Sequence, residues 1–136
     1  MLGKPVPGWS TFKLKDTNSY DLSYLSDIPY EWVEAAICGL QMDMPFCVKG
    51  HTEPGLVTCT VSCDNCHIVF KAHPRLYQET SNTTRLQFCQ SLYDDISQNI
   101  DIWVEFHSHK LDDSERRTRK KDLEQKLARL KDLISK

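Results

Sequence analysis

The sequence predicts an α+β fold: an antiparallel sheet of about five strands, packed on one face by two helices, with a C-terminal helical extension. Three patterns carry this expectation. Short runs before residue 73 are apolar with period two or are bounded by turn residues, as half-buried strands are. Residues 84–106 carry an unbroken apolar stripe at helical spacing. A second, leucine-based stripe closes the chain.

The first two strands form a hairpin. Residues 9–14 read as one strand, and Asp16, Thr17, Asn18 and Ser19 supply turn chemistry. Tyr20, Leu22 and Tyr24 then alternate with Asp21 and Ser23. A helix is expected to open at Asp27, whose carboxylate can cap it. Pro29 falls in the first turn, where a missing N–H costs nothing. Glu31 and Glu34 lie where the helix dipole favours acid. Val33, Ala36, Ile37 and Leu40 make its apolar face, and Pro45 lies beyond its end.

Three strands follow, over residues 46–51, 56–63 and 66–72. Glu53-Pro54-Gly55 joins the first two, and Asp64-Asn65 is a two-residue loop tolerant of positive φ. In the long helix, Leu86, Cys89, Leu92, Ile96, Ile100 and Trp103 are spaced by 3, 3, 4, 4 and 3. Thr84 and Gln87 form a capping box at its start. After a polar break, residues 114–134 read as a last helix. Leu123, Leu127, Leu130 and Ile134 give it a heptad-like seam, a candidate homodimer contact. The expected division is a globular domain over residues 1–106 and a basic extension over 107–136.

The 136 residues fit one domain, with 40% hydrophobic and 26% charged residues. No run approaches the roughly 18 apolar residues of a membrane span. The opening residues lack the apolar stretch of a secretory signal, so a cytoplasmic location is expected. The net charge of −2 hides an asymmetry. Residues 1–106 hold seven Lys/Arg against thirteen Asp/Glu, a net of −6. Residues 107–136 hold ten against six, a net of +4. An acidic body repels phosphates and suits a basic protein partner. Asp94, Asp95, Asp101 and Glu105 on the long helix are the candidate partner-binding acids. The basic run Arg116, Arg117, Arg119, Lys120 and Lys121 is where nucleic acid could be touched, although no aromatics interleave it.

The chemistry-bearing residues are mainly cysteines: Cys38, Cys47, Cys59, Cys63, Cys66 and Cys89. Cys63-x-x-Cys66 followed by His67 has the spacing of a c-type haem attachment site, but that attachment needs an export route. The same pair on a tight turn is half of a structural zinc site. Cys59, Cys47 or His51 would have to complete it. Cys47 and His51 lie on one strand, where residues four apart are about 13 Å apart. A redox pair is a third reading, and small core residues a fourth. His107-Ser108-His109 is a polar cluster without a nucleophile motif, and no Gly-x-Ser-x-Gly or His-Glu-x-x-His occurs. No catalytic residue is assigned and an enzyme is not expected.

Residues 9–106 resemble small bacterial immunity-type proteins of polymorphic and contact-dependent toxin systems. The resembling features are Tyr20-Asp21-Leu22-Ser23-Tyr24-Leu25-Ser26-Asp27-Ile28-Pro29 leading into a helix, the three-strand meander, and a closing helix containing Leu92-Tyr93-Asp94-Asp95-Ile96 and Ile102-Trp103-Val104. The resemblance implies a stoichiometric, non-catalytic binder that neutralises a partner protein such as a basic toxin. Two other readings stand beside it: a small zinc-binding regulatory protein built on the cysteine hairpin, and a phage- or host-encoded inhibitor with a nucleic-acid-contacting basic tail.

Overall fold

Among the described residues, the chain forms two antiparallel sheets, of two and four strands, and four helices. The structure is a computed structural model that describes residues 1–108 and 110–136. His109 of the polar cluster lies outside the described residues.

The first hairpin forms as expected, from β1 (Trp9–Lys13) and β2 (Ser19–Ser23), with Phe12 opposite Tyr20. Phe12, Tyr20 and Leu22 are buried while Thr11, Lys13 and Asp21 face water, the period-two pattern of a one-sided ribbon. Residues ahead of it add a further edge. Gly3 N–H donates to the Thr11 carbonyl, and Lys13 N–H to that of Met1.

Helix α1 (Ile28–Met42) follows. Asp27 does not cap it with its side chain. The Glu31 carboxylate instead accepts from the Asp27 N–H at 2.7 Å, and the Asp27 carboxylate turns toward Arg119. The buried face is also wider than the sequence stripe, with Trp32 at its centre. The Trp32 ring meets Phe12 edge-on and lies near-parallel to Phe88.

The second sheet is a four-stranded meander in the order β3 (Phe46–His51), β4 (Leu56–Val61), β5 (Cys66–Ala72) and β6 (Arg75–Ser81). Its inner face is Phe46, Val48, Val57, Cys59, Val61, Cys66 and Ile68, all buried. The hairpin crosses this face at Gly50, where a Cβ would come within 2.6 Å of Leu22 Cδ2. Two expectations need correction here. The β4–β5 connection is four residues, closed by Ser62 N–H on the Asn65 carbonyl, so β4 ends at Val61. A further strand, β6, was not foreseen. Its residues Arg75 to Gln78 are exposed on both faces, so it carries no buried alternation to read.

Thr84 and Gln87 form the expected capping box on α2 (Arg85–Gln98). The long helix is interrupted at Asn99, and α3 (Ile100–Val104) is a separate short turn. Leu86, first in the expected stripe, is exposed; Phe88 takes its place in the core.

Helix α4 (Asp113–Ile134) is capped by Asp112, whose carboxylate accepts from Glu115 N–H at 2.8 Å. It packs on α1, α2 and α3. Leu123, Leu127 and Leu130 are buried in the same core as Trp32 and Leu92. The leucine seam is therefore consumed within the chain. The core that it joins draws on residues on both sides of position 106.

Candidate functional site

Val6-Pro7-Gly8-Trp9 is a tight turn closed from both sides: Val6 N–H donates to the Trp9 carbonyl at 2.9 Å, and Trp9 N–H to the Val6 carbonyl at 3.0 Å. Proline presets φ at the second position, and the third needs a positive φ that glycine supplies without steric cost. Gly8 has φ +83°. The turn leads directly into β1, which fixes Trp9 opposite Ser23 at the end of the ribbon. Tyr24 follows, its ring flanking Gly8.

The outcome is a cluster of exposed large side chains: Val6 at 57%, Trp9 at 40%, and Tyr24 and Leu25 at 46% each. A cleft of about 450 Å³ opens beside it, with Trp9, Tyr24, Phe106 and His107 in its walls. His107 donates from Nδ1 to the Tyr24 carbonyl at 2.8 Å and ties the far wall to the ribbon. A smaller cleft lies on the other side of Trp9, edged by Val6, Lys4 and Asp21. Lys110 stands at the rim of the first cleft and Lys4 at that of the second. Neither makes an ion pair among the described residues. An apolar centre with aromatic anchors and a charged rim is the anatomy of a protein-binding surface.

The acids expected to face a partner are not gathered into one free face. Asp95 is half-buried, accepting from Leu2 N–H at 2.9 Å and lying 3.6 Å from the Met1 amine. Asp101 pairs with Lys120 at 2.9 Å, and Glu105 with Arg116 at 2.8 Å. Their carboxylates hold the Lys120 and Arg116 pKa values above the ordinary range. Asp94 is exposed and takes a hydrogen bond from Gln90. The basic run is divided in the same way. Arg116, Arg119 and Lys120 turn to acids of the body, while Arg117 and Lys121 stay exposed without an ion pair among the described residues.

The cysteine hairpin separates its two thiols. Cys66 is buried and donates toward the Thr83 carbonyl, whereas Cys63 is exposed. Cys59 is buried beside Cys66; the hydrogen bond between the two thiols, and then burial, raise the Cys59 pKa, while the same bond lowers that of Cys66. Cys47 lies on the opposite, exposed face of the sheet, and His51 Nδ1 is 2.6 Å from Ser26 Oγ. Among the described residues, no three His, Cys, Asp or Glu side chains come together to hold a metal ion. Nor is any helix among them long and apolar enough to cross a membrane.

Comparison with known proteins returned no match to a family model, a curated protein or a solved structure.

The sequence reading passed over Val6, Trp9, Tyr24 and Leu25 because it placed Trp9 and Tyr24 as ordinary strand residues. The available signal was the Val-Pro-Gly-Trp turn, which sets two bulky side chains next to each other at a strand end.

Proposed function

We propose that this chain is a non-catalytic protein-binding module, an immunity- or inhibitor-type protein that neutralises a partner by covering it. The observation that carries the reading is the exposed cluster of Val6, Trp9, Tyr24 and Leu25 on a closed turn and a strand end. Aromatic anchors held on rigid backbone lose little entropy on binding, which is why such residues dominate interface energetics. Covering them requires no reacting group.

The charge argument for the partner moves with the surface. Of the four candidate acids, Asp101 and Glu105 are matched by α4 and Asp95 by the Met1 amine, which leaves Asp94 alone for a basic toxin to recognise. Lys4 and Lys110 at the cluster's rim instead favour a partner that presents an apolar knob bordered by acid. The test is native mass spectrometry of the protein purified from its own cells, repeated with Trp9→Ala/Tyr24→Ala. A one-to-one complex with an identified protein, lost in the double variant while its circular dichroism is unchanged, is the expected result. A complex that survives the double variant would sink this surface. A lone chain carrying stoichiometric zinc would sink the whole reading.

A further inference from the structure

The four-stranded sheet ends on one side in the edge strand β6, whose sequence is complementary to itself. Edges of this kind are usually blunted by charge, proline or a covering element. Two other edges here receive hydrogen bonds from elsewhere in the chain. Residues 1–3 pair with the outer side of β1. On β3, the Lys49 carbonyl accepts from Trp32 Nε1 of α1 at 2.8 Å. Strand β6 has no such cover. Its closing pair across the two-residue loop is Ala72 with Arg75. Bonded pairs alternate from there, so the N–H and C=O groups of Leu76, Gln78 and Thr80 point away from β5. None of these backbone groups has a hydrogen-bond partner from another element among the described residues. Leu76, at 68%, is the most exposed large apolar residue described, and Tyr77 beside it is also exposed.

We propose that β6 pairs antiparallel with β6 of a second copy of this chain, with the dyad at Tyr77, joining two four-stranded sheets into one. In that register Leu76 and Gln78 exchange backbone hydrogen bonds across the edge. The odd-numbered residues become the closely spaced non-bonded pairs, where side chains interact most strongly. Arg75 then stands opposite Glu79 of the second copy, twice over, and the two Tyr77 rings meet. The two Leu76 side chains are diagonal neighbours on the outer face. Glu79 already accepts from Asn18 N–H and the Tyr20 hydroxyl, which fixes its position, and a carboxylate retains acceptor capacity for a guanidinium. Arg75 makes no ion pair within its own chain among the described residues. A closed two-fold arrangement of this kind is the commonest form of homo-oligomer. The Asn18 end of the β1–β2 ribbon approaches β6, so the Trp9 cluster at its other end stays free.

The test is sedimentation velocity of the full chain from micromolar to millimolar concentration. A dimer that dissociates on dilution is expected. Arg75→Glu places like charges opposite each other and should leave a monomer. Gln78→Pro removes only an outward N–H, a change edge strands accept, and should do the same. With Cys38, Cys47 and Cys63 replaced by serine, Tyr77→Cys should form an intermolecular disulfide with oxidised glutathione, and Gln78→Cys should not. A wild-type chain that is monomeric throughout overturns the proposal. So does a dimer untouched by Arg75→Glu, or crosslinking through Gln78→Cys in place of Tyr77→Cys. If Gln78→Pro loses its native circular dichroism, the surface variant Arg75→Glu decides alone.

Discussion

Tyr30 and Arg119 hold each other twice: the Tyr30 hydroxyl donates to the Arg119 carbonyl at 2.7 Å, and the Arg119 guanidinium lies 4.2 Å from the centroid of the Tyr30 ring. The same guanidinium reaches the Asp27 carboxylate at 3.0 Å. These contacts tie α4 to the start of α1 across most of the sequence. Together with Asp101–Lys120 and Glu105–Arg116, they explain why an acidic body and a basic tail occur in one chain. The opposite charges meet within the molecule and orient α4 on the body. Arg119→Ala removes a partly buried ion pair and a cation–π contact, and should lower unfolding free energy by about 1–2 kcal/mol. Tyr30→Phe removes one hydrogen bond, worth about 1 kcal/mol. Urea denaturation measures both. If α4 were a loose appendage, neither change would register.

The stronger test of that docking is apolar. Leu123 is fully buried beneath α1 and α2, so Leu123→Ala should cost about 2–5 kcal/mol, the range for a leucine truncated in a packed core. Deleting residues 107–136 strips the core of Leu123, Leu127 and Leu130 together and should leave no native fold. A cooperative unfolding transition in residues 1–106 alone would contradict this.

The thiols divide by environment. Cys38, Cys47 and Cys63 are exposed, and Cys59, Cys66 and Cys89 are buried. A thiol reagent should therefore titrate three groups in the native protein and six after denaturation. Burial also pushes the Cys89 thiol from its ordinary value of 9.0 up to about 12. The native state then keeps a proton that the unfolded chain releases. Stability is at its full value below pH 9, falls as pH rises, and loses this contribution by about 12. Tyr30, raised by burial from 10.0 to about 12, steepens the fall above pH 10. Urea midpoints measured across this range should decline, and Cys89→Ala should flatten the first part of the decline. A midpoint insensitive to pH would place Cys89 in contact with water.

What could be read in the sequence was whatever had a periodic apolar signal. The capping box at Thr84 and Gln87 lies in its expected place, as do β1 to β3 and the leucine stripe of α4. Strand β6 escaped because Arg75, Leu76, Tyr77 and Gln78 are exposed alike and burial leaves no alternation there. The break at Asn99 escaped because Ile96, Ile100 and Trp103 keep their spacing through it. The destination of a stripe is equally invisible: Leu123 and Leu127 read as a seam for a second chain, and pack on their own. Pairing between Asp101 and Lys120 joins positions nineteen apart on different helices, which no local pattern encodes. The Trp9 cluster was hidden by the opposite problem, since its residues also fit the alternation of strands.

That cluster depends on Gly8, and the dependence separates stability from recognition. An L-residue at the Gly8 φ of +83° is strained by roughly 1–2 kcal/mol. Gly8→Ala should therefore destabilise the fold by about that amount and loosen the turn that holds Val6 beside Trp9. Trp9→Ala acts differently. Its side chain is exposed and the backbone pairing with Ser23 remains, so stability should change by less than about 1 kcal/mol. Against the identified partner, its affinity should fall by about 2 kcal/mol or more, the loss expected of an aromatic anchor. Calorimetric titration and thermal unfolding of the two variants give four numbers. Weak binding with intact stability in Trp9→Ala, and losses in both for Gly8→Ala, would mean the turn exists to display the indole. Full affinity in Trp9→Ala would mean that the exposed ring is only the end of a strand.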